Sequence, residues 1–97
     1  MLENAREPID DALLDMIQRC KSLEYLDFQA VLEVPTVNKI YGLTREGKTQ
    51  LNRCHMTLEN LTGIEVTELE AINHLHEKMV EERGLDFQIE PSEMVVF

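Results

Sequence analysis

The chain has no tryptophan, two cysteines, four glycines and three prolines in 97 residues, and nine lysines and arginines against nineteen aspartates and glutamates. Each scarcity excludes a class of protein. Cys20 and Cys54 stand alone, without C-x-x-C spacing, which excludes a disulfide framework and a cysteine-based zinc site; both are expected to be reduced and buried. So few glycines leave little backbone to approach a ligand closely, and no phosphate-cradling glycine loop or G-x-S-x-G nucleophile elbow occurs. The longest uninterrupted apolar run is Met94 to Phe97, far short of the roughly 20 residues of a membrane span. Glu3, Arg6, Glu7, Asp10, Asp11 and Asp15 break any secretory leader, so a cytoplasmic location is expected, with no membrane partner.

What is present is an ordinary globular composition, 43% apolar and 29% charged. That suits one folded core, hence a single small acidic domain over residues 1–97, with 1–7 and 90–97 as flexible ends. The net charge of −10 is unevenly spread. Residues 1–33 carry eight acids and three bases, 34–64 two acids and four bases, and 65–97 nine acids and two bases. The two acidic flanks repel phosphate backbones, which makes nucleic acid an unfavoured partner for most of the surface.

Periodicity predicts a mainly helical α+β fold of about three helices, a short β-hairpin and a C-terminal edge strand. Pro8, with Asp10 and Asp11 behind it, opens a helix over 8–21, and Ile9, Leu13, Met16, Ile17 and Cys20 give its apolar stripe. Val31, Val34, Val37, Ile40 and Tyr41, interrupted by Pro35 and Asn38, read as two short strands around a turn. Thr44 is placed to cap a second helix through Leu51, Cys54, Leu58 and Leu61, stopped by Gly63. Thr67-Glu68-Leu69-Glu70 has capping-box spacing and predicts a third helix with Leu69, Ile72, Leu75, His76 and Met79 inward, closed by Gly84. Leu85, Phe87 and Ile89 then alternate with Asp86, Gln88 and Glu90 as in a strand. Leu26-Asp27-Phe28-Gln29 is echoed by Leu85-Asp86-Phe87-Gln88.

Chemistry-bearing residues are few. His74 and His76 lie two apart and point to different sides of a helix, so with Glu77 they form no chelating pair, and His55 beside Cys54 adds none. No metal, cofactor or catalytic residue is predicted, and the chain is expected not to be an enzyme. The leading expectation is a non-catalytic protein–protein interaction module (regulator, adaptor or inhibitor) that binds a basic partner surface through acidic helix faces. Asp10, Asp11 and Asp15 on the first helix and Glu68, Glu77, Glu81 and Glu82 on the third would carry it, in the extreme as a nucleic-acid mimic of phage type. Leu69, Ile72, His76 and Met79 match a helix-pairing stripe, so a homodimer through them is a further possibility.

One stretch, Tyr41-Gly42-Leu43-Thr44-Arg45-Glu46-Gly47 followed by Leu51, resembles the Y-x-L-T-x-x-G-x-x-x-L pattern by which winged-helix regulators pass from a wing strand into the next helix. That resemblance implies Tyr41 and Leu43 packed inward and Thr44 capping. It also makes nucleic-acid binding through Lys39, Arg45, Lys48 and Arg53 the alternative function.

Overall fold

The computed structural model describes residues 9–92. Helices and strands alternate: α1 (Asp10–Arg19), β1 (Tyr25–Ala30), α2 (Val34–Arg45), β2 (Arg53–Leu58), α3 (Gly63–Glu82) and β3 (Asp86–Pro91). The three strands form one all-parallel sheet in the order β1-β2-β3. The architecture is therefore a Rossmann-like α/β unit with helical crossovers, and the expected α+β fold with a hairpin is corrected.

The correction begins at α2. Val34, Val37, Ile40, Tyr41 and Thr44 are all buried and recur every three or four residues, the spacing of one helix face. Their β-branched character suggested strands, and Pro35 suggested a turn. Pro35 sits in the first helical turn, where its missing N–H costs nothing. Thr44 caps no helix; it lies in the last turn of α2, and its hydroxyl donates to the Ile40 carbonyl at 3.0 Å. The winged-helix resemblance falls with it, because Tyr41 to Thr44 are helical and no wing precedes them.

The predicted second helix is strand β2. Cys54, Met56 and Leu58 point into the core while His55 and Thr57 point away. Gly63 does not end a helix but opens α3. The capping box lies five residues before the expected one: the Thr62 hydroxyl accepts from the Glu65 N–H at 3.2 Å, and the Glu65 carboxylate accepts from the Thr62 N–H at 3.0 Å. Thr67 is already helical and donates to the Gly63 carbonyl. Gly84, at φ +65°, supplies the predicted stop. Arg83 ties the two long helices together, its guanidinium donating to the Thr44 and Arg45 carbonyls at 2.8 and 2.9 Å and so satisfying the end of α2.

α1 and β3 lie where the sequence places them, although Glu90 and Pro91, expected to be flexible, are the last residues of β3. The expected flexible ends 1–7 and the tail from 93 lie outside the described residues. α1 packs on α2, and α2 packs on α3. The core consists of Leu13, Ile17, Val37, Ile40, Leu69, Met79 and their neighbours against the inner face of the sheet. Cys54 is buried, but Cys20, predicted buried, is exposed.

Strand alternation leaves the second sheet face polar: Tyr25, Asp27 and Gln29 on β1, Arg53, His55 and Thr57 on β2, and Asp86, Gln88 and Glu90 on β3. No described residue layer covers this face, which is unusual for a parallel sheet. The β3 edge is blunted instead. Pro91 offers no N–H, and the Asn73 side-chain amide donates to the Ile89 carbonyl at 2.8 Å.

Candidate functional site

In parallel α/β folds, ligands gather beyond the C-terminal ends of the strands, where helix N-termini present free N–H groups. Here the two strand-to-helix turns, residues 31–33 and 59–62, meet at that end. Both helix starts are occupied by the protein's own carboxylates. Asp10, from α1, reaches across to α2, and its Oδ2 accepts from the Glu33 N–H at 2.9 Å and from the Thr36 hydroxyl. Glu65 fills the start of α3 through its capping box. A phosphate would meet two negative groups in the place it normally takes, so the fold retains the geometry of an anion site and reverses its charge. What remains is a cavity of ≈ 240 Å³ bounded by Asp10, Leu32, Glu33, Glu59, Leu61 and Glu65 among others. Asn60, in the same wall, holds a left-handed conformation at φ +63°.

A larger groove of ≈ 440 Å³ runs between α3 and β3. Tyr41, Val80, Phe87 and Ile89 supply its apolar surface, and Glu70, Glu77, Glu81 and Glu90 its carboxylates. The inner wall is rigid. The Tyr41 hydroxyl donates to Asn73 Oδ1 at 2.6 Å, and the same Asn73 donates to the Ile89 carbonyl. The Tyr41 ring stacks on His76 (centroids 4.5 Å apart, 13° between planes) and leans on Phe87 at 5.6 Å. Burial, reinforced by the neighbouring Cys54, pushes the Tyr41 phenol up to about 12, and burial pushes the Cys54 thiol to about 12, so both stay neutral.

His76 is the polar pivot between α2 and α3. Arg45 approaches its Nδ1 at 2.8 Å, and Asn38 Oδ1 lies 2.8 Å from its Nε2. A guanidinium only donates, so Nδ1 must accept and Nε2 must carry the proton. The ring is neutral, and burial followed by the Arg45 charge lowers its pKa below the ordinary 6.5. Because the unfolded chain takes the proton more readily, His76 contributes its stability in full above that ordinary value, and the contribution is lost as pH falls below it. The unfolding midpoint of the wild type is expected to drop between about pH 7.5 and about pH 5.5. His76→Gln, whose amide accepts from Arg45 and donates to Asn38 without titrating, should flatten that slope; an unchanged slope in thermal melts would place the dependence elsewhere.

On the bare sheet face, His55 Nε2 lies 2.9 Å from Asp86 Oδ2, and Arg53 approaches the same oxygen at 3.7 Å. The His55 contact is close but off the line of an ideal hydrogen bond. The Asp86 carboxyl is held below its ordinary range, first by His55.

The predicted site residues therefore separate. Asp10, expected on a solvated face, is buried and bonded to α2. Asp11 and Asp15 are exposed on α1, and Asp15 pairs with Arg19 at 3.0 Å. Glu77 and Glu81 share the α3–β3 groove, while Glu68 and Glu82 are exposed outside it. Of the self-association stripe, Leu69, His76 and Met79 are buried within the chain and Ile72 is half-buried. Of the basic residues, Lys39 and Arg45 lie on α2, Lys48 pairs with Glu46 at 3.3 Å in the loop after it, and Arg53 is on the bare sheet face. Sequence reasoning missed Glu33, Glu59, Glu70 and Glu90. Glu90 was visible as the outward member of the β3 alternation, and Glu70 shares a face of α3 with Glu77 and Glu81 at helical spacing; Glu33 and Glu59 become neighbours only through the parallel topology. Among the described residues no three histidines, cysteines or carboxylates are grouped to hold a metal ion, and no helix is long and apolar enough to cross a membrane. Compared with models of protein families, with curated proteins and with solved structures, the chain matches none.

Proposed function

We propose that this chain is a non-catalytic interaction module that receives a basic, amphipathic segment of another protein in the groove between α3 and β3. The supporting observation is the groove's lining: an apolar surface from Val80 and Phe87 beside the carboxylates of Glu70, Glu77, Glu81 and Glu90, with no lysine or arginine among the described residues that line it and His74 3.2 Å from Glu77 as its one imidazole. Such a surface complements apolar side chains that carry lysine or arginine one turn away, and the sign of its field speeds encounter with a cationic partner. Occupation would mask the partner's basic segment, as a regulator, adaptor or inhibitor does. The seat is α3 and β3; Asp11 and Asp15 of α1 lie outside it.

Titration with an amphipathic peptide of alternating leucine and arginine pairs tests this. Two solvated charge contacts worth about 0.7 kcal/mol each predict that Glu77→Gln combined with Glu81→Gln weakens binding about tenfold. Asp11→Asn combined with Asp15→Asn removes the same charge elsewhere and should leave affinity within about twofold. Equal losses from both pairs, read by calorimetry, would reduce the interaction to net charge and end the proposal.

A further inference from the structure

We propose a second site, at the C-terminal ends of β1 and β2, that seats the guanidinium of a single arginine side chain from a protein partner. It shares with the groove reading only the cationic nature of the partner, and it concerns other residues. The starting point is Asp10. Its side chain is buried at 8% exposure, and while Oδ2 is committed to capping α2, Oδ1 has no hydrogen-bond donor among the described residues. A buried carboxylate oxygen without a donor is costly, and it calls for an N–H.

The surroundings specify which donor. Glu33 and Glu59, one from each strand-to-helix turn, stand on the rim with exposed carboxylates, and neither forms an ion pair among the described residues. Among the described residues no lysine or arginine lines this cavity; Lys39 lines the adjoining one, which shares Asp10 and Glu33 with it. Leu32 and Leu61 give an apolar wall along which an aliphatic stem can lie. The left-handed Asn60 turns the chain between Glu59 and Leu61, holding the second rim in place. At ≈ 240 Å³ the space is below the roughly 300–1,000 Å³ of small-molecule pockets and matches one long side chain.

A metal ion fits poorly. No three ligating groups converge among the described residues, and Asp10 Oδ2 and Glu65 are already used as caps. A guanidinium presents five N–H groups in a flat fork and can serve separated carboxylates at once, which a lysine ammonium, a compact point charge, does less well.

The test is an amide-shift titration of the full chain with N-acetyl-arginine amide, with N-acetyl-lysine amide and magnesium chloride as parallel arms. The expected result is saturable shifts at Glu33, Asn60 and Leu61, with the lysine compound at least about threefold weaker. Glu33→Gln and Glu59→Gln should each weaken the arginine compound about fivefold, the size of one charge-assisted contact at a partly open site. Asp10→Asn places an amide against the guanidinium and should weaken it further; should that variant misfold, the two exposed glutamate variants still decide. Shifts that avoid this region, equal affinity in the glutamate variants, or tighter saturation by magnesium would each overturn the inference. Loss of arginine binding here together with intact peptide binding in the α3–β3 groove would remove this site and leave the groove reading standing. The Glu77→Gln and Glu81→Gln pair should leave the arginine shifts unchanged.

Discussion

Shortening Leu69 to alanine is expected to lower the free energy of unfolding by about 2–5 kcal/mol, whereas the same change at Leu75 should cost less than about 0.5 kcal/mol. Both leucines lie on α3, and the apolar pattern predicts both to face inward. In the fold they differ completely: Leu69 is 0% exposed among the core side chains, and Leu75 is 67% exposed. Truncating Leu69 removes transfer free energy and leaves a void that the parallel sheet and α2 are not free to fill. Truncating Leu75 removes only solvated carbon. Urea unfolding of the two variants measures the difference directly, and comparable losses would mean that α3 is rotated about its axis from the orientation described here.

Replacing Asp10 by alanine is expected to cost about 2 kcal/mol, the combined weight of a helix cap and a hydrogen bond to a charged acceptor. Its carboxylate is the cap of α2 although it belongs to α1. Removal leaves the Glu33 N–H and the Thr36 hydroxyl without their acceptor, and Thr36 is buried. It also frees α1, whose remaining hold on the body is mainly Leu13 and Ile17. Hydrogen exchange in α1 should therefore accelerate more than exchange in β2. Asp11→Ala, next in sequence but exposed, provides the control, with an expected change within about 0.5 kcal/mol. If the two variants unfold alike, Asp10 does not join the helices.

How far the fold was legible follows from which residues had rival readings. β3 was legible because Leu85, Phe87 and Ile89 alternate with polar residues immediately after a glycine stop. α1 was legible as a helix from its three-four apolar spacing, but of the predicted stripe only Leu13 and Ile17 are buried, while Ile9, Met16 and Cys20 are exposed. β2 was not, because residues four apart lie on one face both of a helix and of a strand, so Cys54 and Leu58 satisfy either period; Met56 between them, buried in the core, was the residue that broke the tie. α2 was hidden by composition: β-branched residues favour strands only weakly, and burial against a sheet overrode that preference. Thr62-Gly63-Ile64-Glu65 and Thr67-Glu68-Leu69-Glu70 carry identical capping-box spacing, and only the position of the preceding strand selects the first. Of the candidate sites, Glu77 and Glu81 were named from the sequence. Asp10 was named for the wrong environment, since nothing local shows that its partners are the Glu33 N–H and the Thr36 hydroxyl more than twenty residues away.

The strand order described above has a consequence for how the chain reaches its native state. Tyr25 pairs with Arg53 and Arg53 with Asp86, so every strand pairing closes a loop of about thirty residues containing a whole helix. No pair of strands can zip from a tight turn. The sheet must wait until α2 and α3 have at least partly formed and collapsed on one another, and the rate-limiting ensemble should be rich in helix and poor in strand pairing. Mutations at the α2–α3 seam would then slow folding, and mutations in β3 would mainly hasten unfolding.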